Sequence, residues 1–198
     1  KVAHLEAGLR SDDWDMPEEA NRVLAGVVAD YHFCPTEVQR ERLARESITE
    51  GVHVVGNTIV DASLHYSEEA KSKSTILETL GLRDQPFALL TMHRPSNVDE
   101  ASRLTDMMSC LDNAARNLGL KIVFPVHPRT EESLKRVGLW DRYEKGSSFI
   151  LLKPIGYLDL LRLQLESKLV LTDSGGLQEE ANILRVPCVT LRYNTERP

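Results

Sequence analysis

Cysteine is scarce in this sequence: Cys34, Cys110 and Cys188 are the only three in 198 residues, and no two form a C-x-x-C pair. Disulfide frameworks and zinc sites need clustered thiols, so neither is expected, and the three read as small residues of a reducing compartment. Basic charge is also short, with 24 Lys and Arg against 30 Asp and Glu for a net charge of -6. That excludes a general nucleic-acid binder, which shows a basic face, while leaving room for a local phosphate site. No run approaches the roughly 18 apolar residues of a membrane span, and no signal peptide is visible. H-E-x-x-H and paired-His spacings are missing, as are a full Walker loop and G-x-G-x-x-G, so no metal is expected. With 41% hydrophobic, 27% charged and 6% aromatic residues, what remains is an ordinary globular composition.

Along the chain, short β-rich apolar runs alternate with stretches whose apolar residues recur three and four apart, the pattern of a parallel α/β sheet. Strands are expected at Val2 to Leu5, Tyr31 to Cys34, His53 to Val55, Phe87 to Met92, Lys121 to Val126, Phe149 to Leu152, Lys168 to Thr172 and Cys188 to Leu191. Helices are expected at Pro17 to Ala29, Glu37 to Glu46, Thr58 to Leu80, Glu100 to Leu118, Glu131 to Val137, Tyr157 to Leu165 and Leu177 to Leu184. Thr58 with Asp61 reads as a helix cap, and Gly81 and Gly119 as helix stops. The polar stretch Glu68 to Ser74 is the expected boundary region, giving domains of residues 1–80 and 81–198. After Asp84 five strands suffice for a nearly complete doubly wound domain. The three before it are fewer than such a sheet usually needs. Lys1 is not an initiator Met, so a fragment whose first domain has lost its beginning is expected.

The strongest local signal is Leu169 to Glu180, a strand, a small-residue turn at Ser174-Gly175-Gly176 and a helix start. Glycines let a phosphate approach the backbone, and exposed N–H groups favour an anion. An ordinary βα turn capped by Ser174 fits equally well. Glu180 lies where a carboxylate reaches a ribose hydroxyl pair, or with Glu179 it complements the helix dipole. His4-Leu5-Glu6-Ala7-Gly8-Leu9-Arg10 puts His4, Glu6 and Arg10 at a strand end, where ligands of parallel sheets bind. In Asp15-Met16-Pro17-Glu18-Glu19-Ala20-Asn21-Arg22, Glu18 completes a capping box with Asp15 or pairs with Arg22. His93, Arg94 and His127 also follow strands, although a lone His such as His127 is more often structural. Arg192 and Arg197 follow the last strand, and Arg is the natural bidentate partner of a pyrophosphate.

H-L-E-A-G-L-R, P-E-E-A-N-R, V-G-N-T, the Met92-His93-Arg94 triplet, T-D-S-G-G-L-Q-E-E and T-E-R-P occur in this order over essentially the whole chain. Together they resemble the non-hydrolysing UDP-N-acetylglucosamine 2-epimerases. The resemblance implies two Rossmann-like domains of glycosyltransferase-B type, the first truncated at its N-terminus, closing over a UDP-sugar. It implies interconversion of UDP-N-acetylglucosamine and UDP-N-acetylmannosamine without metal or nicotinamide cofactor. By the same resemblance Glu6 and Glu18 match acid/base carboxylates, and His93 matches a catalytic histidine near the leaving diphosphate. Ser174, Gly175, Gly176 and Arg197 match diphosphate contacts, and Glu180 the ribose ligand; His4, Arg10 and His127 are further candidate substrate contacts. Ser174 to Gly176, Glu180 and Arg197 are all expected in the second domain.

The implied chemistry is physically coherent. The C2 hydrogen is not acidic, so its removal must accompany loss of UDP from C1, giving a 2-acetamidoglucal. Readdition of UDP with protonation of the other face gives the epimer, which calls for two carboxylates on opposite faces. Donors around the diphosphate stabilise the charge growing on the leaving UDP. The family's G-T-R-P-E segment and an upstream Asp in an H-G-D-T-like motif are not in this text, so part of the active site is expected to be missing. Pro95 to Asp99 replaces the R-E-S-like residues that many bacterial members link to activation by substrate. The resemblance further implies a cytoplasmic protein, a homodimer when full length, with no nucleic-acid or membrane partner. The rivals are an epimerase of a diacetamido-uronic acid, a hydrolysing epimerase, a glycosyltransferase and a non-catalytic UDP-binding module on the same fold.

Overall fold

The computed structural model describes residues 1–145 and 148–197. They form two compact units, one of Lys1–Asp61 with the residues from Tyr193 on, the other of Ala62–Arg192. The division differs from the one expected at residue 80, because it falls N-terminal to the Glu68–Ser74 stretch and the chain's last residues return to the first unit.

In the first unit β1 (Ala3–Leu5), β2 (Tyr31–Cys34) and β3 (Val52–Val54) form a parallel sheet in the order β1-β2-β3. Helices α1 (Pro17–Val28) and α2 (Glu37–Arg45) make the connections, and α3 (Thr58–Lys73) begins in this unit. The core is small, with Ala7, Cys34 and Leu43 fully buried and Ile48 and Val52 packed against them.

The second unit continues with α4 (Ile76–Thr79), β4 (Phe87–Thr91), α5 (Pro95–Val98), α6 (Ala101–Leu118), β5 (Lys121–Pro125), α7 (Pro128–Arg136) and α8 (Trp140–Lys145). It closes with β6 (Phe149–Leu152), α9 (Tyr157–Glu166), β7 (Leu169–Thr172), α10 (Gly175–Ile183) and β8 (Cys188–Thr190). All strand pairs are parallel, in the order β6-β5-β4-β7-β8. The continuous apolar run of β4 follows from burial of both faces. Ala88 and Leu90 enter one core with Ile122, Phe124 and Leu171. Phe87 and Leu89 enter the other with Val123 and Val170.

All eight expected strands occur, with ends shifted by a residue or so. The helix expected from Thr58 to Leu80 is two helices. Ser74 Oγ donates to Asp159 at 2.6 Å and accepts from Ile76 N–H at 3.3 Å, so its hydroxyl competes with the helical ladder and breaks it. The residue serving the start of α3 is Asn57 rather than Thr58, its Oδ1 accepting from Ile59 N–H at 3.1 Å. Asp15 and Glu18 form no capping box, since Met16 is the N-cap of α1 and has no side-chain cap bond. The Gly81 and Gly119 stops are present, both with φ of 65°. Helices α5 and α8 were not anticipated, being too short to show a helical period.

Candidate functional site

The order of the second sheet brings the chemistry together. From β4 the chain crosses to β5 on one side, and from β6 it returns to β7 on the other, so the connections diverge beyond the carboxyl ends of β4 and β7. Such a switch point leaves the crevice in which parallel α/β sheets bind ligands. Thr91 and Thr172 close its floor, their hydroxyls 2.6 Å apart. His93 and Arg94 follow β4, while Asp173 and Ser174 follow β7.

Asp173 is fully buried, and a buried charge is tolerated only with partners. Its Oδ2 accepts from the backbone N–H groups of His93 at 2.9 Å and Arg94 at 2.8 Å, and from Asn97 Nδ2 at 3.0 Å. Its Oδ1 lies 3.1 Å from His93 Nδ1. Burial pushes the carboxyl up, but the bonds from His93, Arg94 and Asn97 outweigh it and hold the group below its ordinary value. Asp173 stands in the T-D-S-G-G motif, yet it was not among the expected site residues. The signal was an acid between a strand end and a helix cap.

The His93 ring, 39% exposed, lies against that of His127, with centroids 5.6 Å apart. His127 has the structural role weighed for it, since its Nδ1 accepts from Arg129 N–H at 3.2 Å and caps α7. Both histidines line an open, largely apolar cleft of about 190 Å³ with Met92, Val126, Ile155 and Leu160.

On the β7 side Ser174 caps α10, its Oγ accepting from Leu177 N–H at 3.5 Å. The first N–H groups of a helix have no intrahelical partner, and Gly175 and Gly176 lie there. A Cβ on Gly176 would meet nothing within 4 Å, so this glycine leaves open space rather than relieving a clash. Glu180, on the same helix, is 5% exposed and accepts from Tyr157 OH at 3.0 Å. Burial pushes the Glu180 carboxyl up. Burial, with Glu180 beside it, pushes the Tyr157 phenol up to about 12.

The first unit holds a separate set. Glu6 follows β1 with φ of 58°, a left-handed conformation that costs a non-glycine residue about 1–2 kcal/mol. Its Oε2 pairs with Arg197 Nη2 at 2.9 Å. Arg197 also approaches Glu196 at 3.8 Å, and Arg22 joins Glu196 at 3.3 Å to Glu19 at 3.0 Å. The chain's end is thereby bound to α1 and the β1 loop. Arg197 lies in the same unit as Glu6, whereas it was expected in the same domain as Ser174 and Glu180; Pro198 of the T-E-R-P motif lies outside the described residues. Glu19, the neighbour of Glu18, pairs with Arg22 three positions on; it is 1% exposed and accepts from Ser11 and Asp12 N–H as well as Arg22. Burial pushes Glu19 up, and these bonds bring it below its ordinary value. Glu18 is exposed on α1. Glu19 and Glu196 carried no signal beyond adjacency to expected residues.

Arg10 is committed to Glu46 by bonds of 3.0 and 2.7 Å and to Leu9 O at 2.8 Å, its side chain 3% exposed. It ties the loop to the end of α2. His4 is half-buried, and burial, then His32 and Arg10, push its imidazole below the ordinary value. A cleft of about 260 Å³ in this unit is lined by Gly8, Arg10, Gln39, Arg42, Thr195 and Arg197. Among the described residues no group of three or more His, Cys, Asp or Glu is placed to hold a metal ion, and no helix is long and apolar enough to cross a membrane.

The family model described as UDP-N-acetylglucosamine 2-epimerase matches residues 1–198. A UDP-N-acetylglucosamine 2-epimerase of Methanocaldococcus jannaschii is 45% identical over all of this chain and 55% of its own. A crystal structure of the enzyme from that organism, in complex with UDP-GlcNAc and UDP, superimposes with a TM-score of 0.93 at 44% identity, over 100% of this chain and 55% of that one. A UDP-2,3-diacetamido-2,3-dideoxy-D-glucuronate 2-epimerase of Pseudomonas aeruginosa is 39% identical over 98% of this chain and 52% of its own. The chain thus spans about half the length of the relatives it matches. The fold is α/β, of the glycosyltransferase-B type of these epimerases.

Proposed function

We infer, since this chain belongs to the UDP-N-acetylglucosamine 2-epimerase family, that it is part of an enzyme inverting C2 of UDP-N-acetylglucosamine. The observation that carries the reading is the β4/β7 crevice, where a histidine held by a buried aspartate stands at one strand end and a helix N-terminus with open space at Gly176 at the other. In the proposal the N–H groups of Gly175 and Gly176, with the Ser174 hydroxyl, receive the diphosphate, Glu180 the ribose, and the apolar cleft beside His93 and His127 the flat face of the base.

Loss of UDP breaks the C1–O bond, and both electrons leave with the β-phosphate oxygen. A carboxylate takes the C2 proton as the C1–C2 double bond forms. Readdition returns UDP to C1 while a proton is delivered to the other face of C2. Glu6 and Glu18 are proposed as the acid/base carboxylates. His93 and Arg197 are proposed to stabilise the negative charge on the departing diphosphate. The Glu6–Arg197 pair supports this, since it holds a carboxylate and a cation of opposite roles side by side. A homodimer and a cytoplasmic location are proposed on the family resemblance alone.

The test is incubation with UDP-N-acetylglucosamine in heavy water, in a chain extended to the length of its relatives, with NMR at C2. Deuterium entering C2 as the epimers equilibrate is expected; equilibration with none would exclude elimination. A second substrate, a UDP-diacetamido-uronic acid, is favoured by the 39% identity to the Pseudomonas aeruginosa enzyme, and the same assay on that sugar separates the two.

A further inference from the structure

We propose that Asp173 is a positioning residue that sets the orientation and tautomer of His93, holding the Nδ1 proton and turning Nε2 to the crevice. This rests on the reading of His93 as the histidine beside the departing diphosphate. The His93 N–H bridges both oxygens of Asp173, at 2.9 Å to Oδ2 and 3.2 Å to Oδ1, and the other contacts are divided between the two. Oδ2 is saturated by three donors, the N–H groups of His93 and Arg94 and the amide of Asn97. Oδ1 faces the His93 ring nitrogen. A carboxylate so surrounded cannot rotate without losing three bonds.

Asn97 is itself fixed, since it is fully buried and its Nδ2 also donates to Leu191 O at 2.8 Å. The chain His93–Asp173–Asn97–Leu191 therefore anchors the imidazole to the segments that follow β4, β7 and β8. A ring nitrogen that faces an ionised, acceptor-only carboxylate must carry a proton. The neutral ring then has its lone pair on Nε2, and the doubly protonated ring presents an Nε2–H donor there. In either state Nε2 is the nitrogen left for the substrate. Fixing the ring through the nitrogen that does not react is how proteins hold working histidines.

Asp173→Asn separates this role from stability. The Asn oxygen can take the place of Oδ2 and keep its three donors, while the Asn amide meets His93 Nδ1 donor to donor and forces the proton to Nε2. The expected result is a fall in kcat of roughly 100-fold, the cost of a catalytic group misplaced or wrongly protonated, with KM nearly unchanged. In a His93→Ala background the same substitution is expected to add little, because the group it orients is gone. Losses that multiply, or a fall confined to KM, would overturn the proposal.

A second measurement needs neither a variant nor turnover. Long-range ¹H–¹⁵N spectra at alkaline pH, where the ring carries one proton, are expected to show that proton on His93 Nδ1. A proton on Nε2 in the unsubstituted protein would overturn the positioning role. If the protein epimerises no UDP-sugar, the functional reading fails while the tautomer measurement still decides this one.

Discussion

Replacing Gly8 with alanine, beside a matched replacement of Gly56, measures how tightly the loop that carries Glu6 is built. The two glycines share a unit and nearly a conformation, with φ of 82° and 85°. At Gly56 a Cβ would meet nothing within 4 Å, whereas at Gly8 it would lie 2.4 Å from Gln39 O and 2.9 Å from Gln39 Cβ. Both variants carry the left-handed penalty of an L-residue, about 1–2 kcal/mol. Only Gly8→Ala adds an overlap with backbone, which a shift of the β1–α1 loop must relieve at about 1–3 kcal/mol, the usual cost of overpacking. Gly56→Ala is therefore expected to destabilise by about 1–2 kcal/mol and Gly8→Ala by about 2–5 kcal/mol. Urea denaturation gives the totals. Exchange of the Ala7 N–H, bonded to Phe33 O at 3.1 Å, gives the local effect. Equal destabilisation by the two variants, or unchanged exchange at Ala7 in Gly8→Ala, would refute the account of this loop as packed against α2.

Glu6→Gln and Glu18→Gln are each expected to lower kcat by roughly 100- to 10,000-fold, the worth of a positioned acid or base, and near-normal turnover with weakened UDP binding would show them to be ligand groups. Arg197→Ala is expected to weaken UDP binding by about 1.5–3 kcal/mol as a charge-assisted bond is lost, and an unchanged calorimetric affinity would remove it from the site. Glu180→Gln is expected to raise stability at neutral pH and to weaken UDP binding. Because burial lifts the Glu180 carboxyl above 4.5, the folded protein keeps a proton that the unfolded chain has released, so the stability associated with this group is full below that pH and falls as pH rises through the folded value. Thermal melts at about pH 4 and about pH 8 check this, and a gain of the same size at both would contradict it. Tyr157→Phe removes a donor from the buried Glu180 and is expected to destabilise by about 1–3 kcal/mol, read by the same melts.

The strands were legible because each is a run of three to six mostly apolar or β-branched residues bounded by polar or turn residues, a property of neighbours in sequence. The Phe87 to Thr91 run, apolar at nearly every position, even announced a strand covered on both faces. The single helix read from Thr58 to Leu80 failed for a complementary reason. Ser74 breaks it through a bond to Asp159, 85 positions away, and no local pattern carries that partner. Glu18 and Glu19 are adjacent and chemically identical, so sequence had no means to tell that Glu19 turns into the unit while Glu18 faces solvent.

From sequence alone came the alternation of strands and helices, the switch of periodicity that marks an α/β protein, and the ordered motifs that assign the family, all written in short-range spacing. Only the tertiary structure decided which strands are neighbours, and with that which distant residues meet. Asp173 reaches His93 across 80 positions because β4 pairs with β7 and not with a later strand. Arg197 reaches Glu6 across 191 positions because the chain's end returns to the first unit. Local propensity sets which elements form, but sheet order is settled by the burial of whole faces, a sum over the fold that no window of sequence contains.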